Sequence, residues 1–420
     1  MMSRWRRTIV RTALVTVVTT GGVACTADKA ERAAPPSPAE ESTTDACAGV
    51  RAQAACRSIT LSDGRVVRYA VVRPSTTAEG DLTQGTVMDL GGPGVALFGA
   101  DWPGEALQAV TDRLGTPVVI LDEPWTRTPY PAGCRQAARA WYETLHSGSS
   151  SSGAELADAC DLGKGLWGWT PAAYDEAMQA ALEEEGLTFE RFVGASFAGV
   201  RLGYLSRQPD EVVLVSPYPS EQSATEYLTT RLEAVQAFCS AAPAGETCRG
   251  QVPTGEAAKR SIEVTPFDVG AAWLGTNYQR RPVAFKKMMA DEPTAEVLGA
   301  LSDAVTGRFG VTDVSPATFA YFDEACASFA PWEPEVTSRL AAATFLQQWH
   351  AVCAQVDPAP GPTSTAAPAA DQVCVVSYRG DAVVPSGRSQ KSWQGRADQR
   401  RVLPGVNHGV IDTGALDACT

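Results

Sequence analysis

The chain has 420 residues, 44% hydrophobic and 20% charged, enough for one large core or two modest ones. Its net charge of −13 argues against a nucleic-acid partner, which requires a basic surface. Excess acid attracts cationic partners, and it also keeps a protein soluble.

The N-terminus reads as a targeting segment rather than part of the fold. MMSRWRRTIVR is basic; TALVTVVTTGGVA is apolar, of signal-peptide length and too short to span a membrane. That stretch ends at Cys25 in GGVAC, which resembles a bacterial lipobox with Gly22 in place of the usual leucine. Lipidation would make Cys25 the mature N-terminus and hold the protein at the outer face of the cell membrane. The alternative is ordinary secretion with cleavage near Ala24 or Ala27. Residues 1–25 are thus a signal peptide, and the Pro/Ala/Ser-rich residues 26–46 a flexible tether that cannot bury a core.

Cysteine usage agrees with an oxidising compartment. Of eleven cysteines, setting Cys25 aside leaves an even number. Their spacing suggests the local pairs Cys47–Cys56, Cys134–Cys160, Cys239–Cys248, Cys326–Cys353 and Cys374–Cys419. No C-x-x-C occurs and the histidines are scattered, so no metal site is expected.

From residue 57 strands and helices alternate. RSITLSDGRVVRYAVVRP (57–74) predicts an antiparallel hairpin about an Asp63–Gly64 turn. Apolar, β-branched runs follow in 85–90, Val118–Leu121, 189–196, 210–219, 372–381 and 399–405. Such runs suit strands buried on both faces of a parallel sheet. Helices are predicted at 102–115, at 170–186 with Thr170 as N-cap and Pro171 in the first turn, and at 197–209. His146 falls in TLHSGSSSSG, which reads as a polar loop. Between 217 and 371 the strand pattern stops and helical sequence takes over, ending in DPAPGPTSTAAPAAD. The expected organisation is a core of 47–216 and 372–420, with a mostly helical cap, 217–371, inserted before the penultimate core strand.

Gly194-Ala-Ser196-Phe-Ala198 nearly spells the G-x-S-x-G nucleophile elbow, with its second glycine displaced to Gly199. A nucleophilic serine belongs on a tight strand-to-helix turn with small neighbours, and RFVGA and FAGVRLGYL supply that strand and helix. Ala198 fits a slightly opened elbow unless its position requires positive φ. Its base must be His146, His350 or His408, the three histidines of the chain. His408, in a loop after the last strand, fits the order Ser…Asp…His, whereas His350 lies in a cap helix. Asp381, at the end of the penultimate strand, is placed to orient His408. The glycine turn in MDLGGPGV offers one oxyanion donor, Gly92 first and Gly91 second, and the Phe197 N–H offers the other.

These pieces resemble the α/β-hydrolase peptidases of the proline iminopeptidase and tripeptidyl aminopeptidase type, secreted enzymes of actinobacteria. The resemblance runs through LGGPGV, VVILDEPWTRTPYPAGC, WTPAAYDEAMQAAL, VGASFAGVRLGYLSRQPDEVVLVSP and YRGDAVVP…PGVNHG…C. It spans the chain from about residue 85 to its end, apart from most of the cap. It implies an α/β-hydrolase fold, with a mostly parallel doubly wound sheet. It also implies a triad of Ser196, Asp381 and His408, and release of residues from free peptide N-termini. Departures are Ala198 in the elbow, Leu90 and Val95 beside the glycine turn, and DEPWTRTP where the family has a longer loop. In such enzymes acidic cap residues hold the substrate's α-ammonium, which points here to Asp323, Glu324 or Glu226.

The function expected is that of a secreted, lipid-anchored serine hydrolase acting on peptides, with no metal or organic cofactor. Membrane contact would run through the lipid anchor alone. The alternatives are an esterase or lactonase acting on a small ester with the same triad, and an inactive surface-binding protein on a hydrolase fold.

Overall fold

The computed structural model describes residues 54–76, 82–95, 97, 104–147, 153–218, 223–241, 263–278, 294–306, 314–329, 331–332, 343–356, 369–381, 383–405 and 408–420. The signal peptide, the tether and Cys25 lie outside them. One eight-stranded sheet organises the rest, in the order β1-β2-β4-β3-β5-β6-β7-β8. The strands are β1 (Ala54–Thr60), β2 (Val66–Val72), β3 (Gln84–Asp89), β4 (Val118–Leu121), β5 (Thr188–Ala195), β6 (Glu211–Val215), β7 (Gln372–Tyr378) and β8 (Gln399–Leu403). The β1–β2 and β2–β4 pairs are antiparallel, and every pair from β4 to β8 is parallel. An antiparallel hairpin leading into a parallel, helix-covered sheet, with a sharp turn at Ser196 after β5, is the α/β-hydrolase fold.

The valine-rich runs form these strands because both their faces are covered. Val87, Val119, Phe192, Leu214 and Val375 face one apolar layer; Met88, Val118, Val193, Val213 and Val376 face the other. This is the period-2 alternation of a strand buried on both sides. The helices before Ser196 are α1 (Gly104–Leu114), α2 (Cys134–Ser147), α3 (Gly153–Ala159) and α4 (Pro171–Glu184). Thr170 caps α4 by accepting from Ala173 N at 3.3 Å, with Pro171 first in the helix. The segment around His146 is not a loop: it ends α2, which buries Ala138, Trp141 and Leu145 at i, i+3 and i+7. The helix after Ser196 is shorter than predicted. It is α5 (Ala198–Arg201), with one 3₁₀ turn to Tyr204, before Leu205 turns extended.

Between β6 and β7 the described elements are helical: α6 (Ala224–Ala241), α7 (Pro266–Tyr278), α8 (Ala295–Thr306), α9 (Pro316–Ser328) and α10 (Thr344–His350). They belong with the sheet to one compact unit, Thr43–Thr420. Two short helices close the chain, α11 (Ser386–Ser392) and α12 (Thr413–Asp417). Disulfides join Cys134–Cys160, Cys326–Cys353 and Cys374–Cys419. Cys56 is also disulfide-bonded, but its expected partner Cys47 lies outside the described residues, as does the Cys239–Cys248 pair.

His350 shows how the helical insertion depends on pH. It is buried at the end of α10, with Nδ1–H donating to Leu346 O and Nε2 accepting from the Tyr321 hydroxyl, both at 2.8 Å. Burial, helped by nearby Arg231 and opposed by the Leu346 hydrogen bond, lowers its pKa to about 3. The unfolded chain therefore takes up this proton below about pH 6.5 while the fold refuses it. Stability from this site is complete above that pH and falls on acidification towards pH 3, by about 1.4 kcal/mol per pH unit. The urea midpoint of His350→Gln should fall less steeply than that of the wild type between pH 6.5 and 4.5. Parallel slopes would show that His350 is not the group responsible.

Candidate active site

β5 ends in a turn that places Ser196 at φ +54°, a left-handed conformation rarely tolerated outside glycine. Both sides over-determine it. Ser196 N donates to Val215 O at 3.0 Å, and Ser196 O accepts from Tyr218 N at 2.9 Å and Gly199 N at 3.2 Å. Ala198 opens α5 without positive φ. Its methyl occupies the space a side chain at Gly194 would need: a Cβ there would stand 2.7 Å from Ala198 Cβ and 2.6 Å from the Phe192 ring. A Cβ at Gly199 would approach Pro217 Cβ to 2.8 Å. The variant elbow thus keeps glycine where strand and helix approach most closely and carries one methyl on the helix side.

Ser196 Oγ lies 3.0 Å from His408 Nε2. His408 Nδ1 faces the Asp381 carboxylate at 3.0 and 3.1 Å. With Nδ1–H donating to that carboxylate, Nε2 is the ring nitrogen that accepts from the serine. Asp381 Oδ1 in turn accepts from Val383 N and Val384 N, both at 2.9 Å. All three side chains are buried. Three residues far apart in sequence are thus hydrogen-bonded in the order that proton transfer from a serine requires.

The glycine turn after β3 packs directly on Ser196. A Cβ at Gly91, whose φ is +79°, would collide with Ala195 O and come within 3.0 Å of Ser196 Cβ. The two glycines are not equivalent donors. Gly91 N–H is committed to Asp89 Oδ1 at 2.7 Å, which corrects its candidacy for the oxyanion. Among the described residues, the Gly92 and Phe197 amides meet no protein acceptor.

The three acids expected to bind an ammonium have other work. Glu226 is exposed and forms a capping box at the start of α6: Ser223 N donates to its carboxylate at 3.1 Å and Glu226 N donates to Ser223 Oγ at 3.2 Å. Asp323 is buried and accepts from the amides of Gly163, Trp167 and Gly168 at 2.7, 2.8 and 3.3 Å. Burial nevertheless pushes its pKa up to about 6. Glu324 accepts from Arg201 Nε and Nη2 at 2.8 and 2.7 Å and from Trp169 N at 2.9 Å.

Arg201 is the residue sequence reading passed over. Its buried guanidinium also donates to Glu123 at 2.8 Å and approaches Asp89 at 3.4 Å, while Tyr174 OH donates to Asp89 at 2.7 Å. Burial opposes the Arg201 charge, but the carboxylates of Glu123, Glu324 and Asp89 outweigh it and hold its pKa above the ordinary value. Burial raises Glu123 and Glu324 despite the arginine. Glu123 Oε2 has no hydrogen-bond partner. Asp89, Gly91, Glu123, Trp169, Tyr174 and Arg201 line a recess beside the glycine turn. The available signal was one charge inside the otherwise apolar FAGVRLGYL.

No protein-family model matches the chain, and no curated protein does. Solved structures similar to it include an esterase from Thermogutta terrifontis (12% identity, TM-score 0.36, covering 85% of this chain and 92% of that one). A proline iminopeptidase-related protein from Thermus thermophilus has 15% identity and a TM-score of 0.36, covering 87% and 98%. An acetylester hydrolase from Corynebacterium glutamicum has 11% identity and a TM-score of 0.37, covering 87% and 91%. The fold itself is defined by the strand order and the turn after β5.

The elbow geometry predicts opposite outcomes at its two small positions. Gly194→Ala should destabilise by about 1–3 kcal/mol through overpacking and displace Ser196. Ala198→Gly should cost no more than about 1 kcal/mol, the helix penalty of glycine. Urea unfolding of both variants checks this; equal losses would contradict it.

Proposed function

We propose that the protein is a serine hydrolase cleaving carboxylic amides or esters through an acyl-enzyme. The hydrogen-bonded line Ser196–His408–Asp381 carries the reading. In it, His408 Nε2 takes the Ser196 proton as Oγ attacks the carbonyl, and Asp381 stabilises the resulting imidazolium. The Gly92 and Phe197 amides receive the oxyanion. The imidazolium then protonates the leaving group, and water activated by the same histidine releases the acid.

The finer reading is an exo-acting aminopeptidase of the tripeptidyl or prolyl kind, with the ammonium site moved from the three cap acids to Glu123. Three buried carboxylates share one guanidinium, and burial pushes the Glu123 pKa up to about 8, so the cluster relieves its surplus negative charge by holding a proton there at neutral pH. A substrate ammonium at the unpartnered Glu123 oxygen would take that proton's place. An esterase would use the same triad without this requirement. A secreted location is supported by the basic and apolar N-terminus together with the disulfides. No described helix is long and apolar enough to cross a membrane.

A fluorophosphonate should label the wild type and leave Ser196→Ala unlabelled, and Asp381→Asn should lower turnover about 10⁴-fold. Labelling that persists in Ser196→Ala would overturn the assignment of the nucleophile. An aminoacyl anilide should be cleaved and its N-acetyl derivative should not. Glu123→Gln should raise KM about tenfold for the free amine, the loss of one charge-assisted hydrogen bond. Equal cleavage of the free and acetylated substrates would favour the esterase.

A further inference from the structure

A second buried arginine, Arg231 on α6, stands in the opposite situation to Arg201. It is 3% exposed, yet among the described residues no carboxylate lies within ion-pair distance. Its Nη2 donates to the hydroxyls of Tyr218 and Tyr227, and its Nη1 has no partner. The two tyrosine rings face the guanidinium carbon at 5.4 and 5.5 Å, a cation–π contact that does not neutralise the charge.

The direction of the neighbouring hydrogen bonds shows what is missing. His350 spends its Nδ1 proton on Leu346 O, so its Nε2 accepts and Tyr321 OH must donate. Tyr321 oxygen then accepts from Tyr227 OH. Every proton in this relay points away from Arg231. Tyr218 oxygen already accepts from Arg231, and its own hydroxyl proton has no acceptor among the described residues. Two unsatisfied donors therefore remain together, Arg231 Nη1–H and Tyr218 O–H, beside a buried positive charge. Two adjacent donors and one positive charge match a carboxylate.

The surroundings tie this site to the nucleophile. Tyr218 N donates to Ser196 O, and the Tyr218 ring packs against Phe197 at 6.2 Å. Tyr227 and Phe329, stacked at 4.7 Å, supply aromatic walls. We propose that Arg231 and Tyr218 form an anion subsite for a carboxylate on an apolar or aromatic body, one tyrosine side chain from Ser196. Its use by a substrate rests on the serine-hydrolase reading; the binding of a carboxylate does not. With an ammonium at Glu123, the two subsites together select short zwitterionic peptides over long chains.

Calorimetry on the full chain with phenylacetate and its neutral counterpart phenylacetamide tests the site. Phenylacetate should bind at least tenfold more tightly than the amide, and Arg231→Gln should remove that preference. Ser196→Ala should retain it, which separates failure of the subsite from failure of the catalytic reading. Arg231→Gln removes an uncompensated buried charge and should unfold at no lower urea concentration than the wild type. If it fails to fold, Tyr218→Phe, which deletes the second donor, should weaken phenylacetate by several-fold and leave phenylacetamide unchanged. Equal binding of the two probes by the wild type, or no binding of either, would overturn the proposal. So would a tyrosinate absorbance at pH 7 that disappears in Tyr218→Phe, because the counter-charge would then be internal.

Discussion

Four parts of the chain meet at the guanidinium of Arg201. Asp89 ends β3 and opens the glycine turn; Glu123 follows β4; Arg201 closes the helix after Ser196; Glu324 comes from α9 of the insertion. Such a cluster is a poor source of net stability, because removing its charges from water costs much of what their attraction returns. Its effect is geometric. The elbow, the glycine turn and the insertion cannot shift relative to one another without leaving a buried charge unpaired. Asp89 shows the coupling most directly: it faces Arg201 while accepting the Gly91 amide, which fixes the turn that offers Gly92.

This arrangement changes the meaning of the helical insertion. α9 packs against the residues that surround Ser196. Glu324 pairs with Arg201, Asp323 holds three amides of the 163–168 loop, and Ala317 packs so closely on Gly94 that a Cβ there would stand 2.6 Å from its carbonyl oxygen. The Cys326–Cys353 disulfide ties the same helix to the segment after α10. The acids that resembled substrate ligands from sequence are structural here, and the acid with a free oxygen sits on the loop after β4.

The strands were legible because continuous valine runs have few alternatives, and each predicted run overlaps an observed strand, with β3 and β5 starting one residue earlier than predicted. The convergence of Ser196, His408 and Asp381 was legible from chain order, which the sheet turns into proximity. What could not be read depends on partners distant in sequence. Gly91 and Gly92 are identical as residues, and the Asp89 carboxylate distinguishes them. Asp323 and Glu324 look alike in a helical sequence until their hydrogen bonds are known. His146 was read as a loop residue because the serines after it masked the Ala138, Trp141 and Leu145 face of α2. Ala198 drew attention as a departure, while the more consequential charge three residues later did not.

Arg201 joins the turn at Ser196 to the glycine turn after β3. The most direct measurement is urea unfolding of Arg201→Met together with its fluorophosphonate labelling rate in the folded range. Arg201→Met should lose about 3–5 kcal/mol, the cost of leaving buried carboxylates without their cation, and should label well below the wild-type rate. A variant as stable as the wild type and labelled as fast would contradict this role of Arg201.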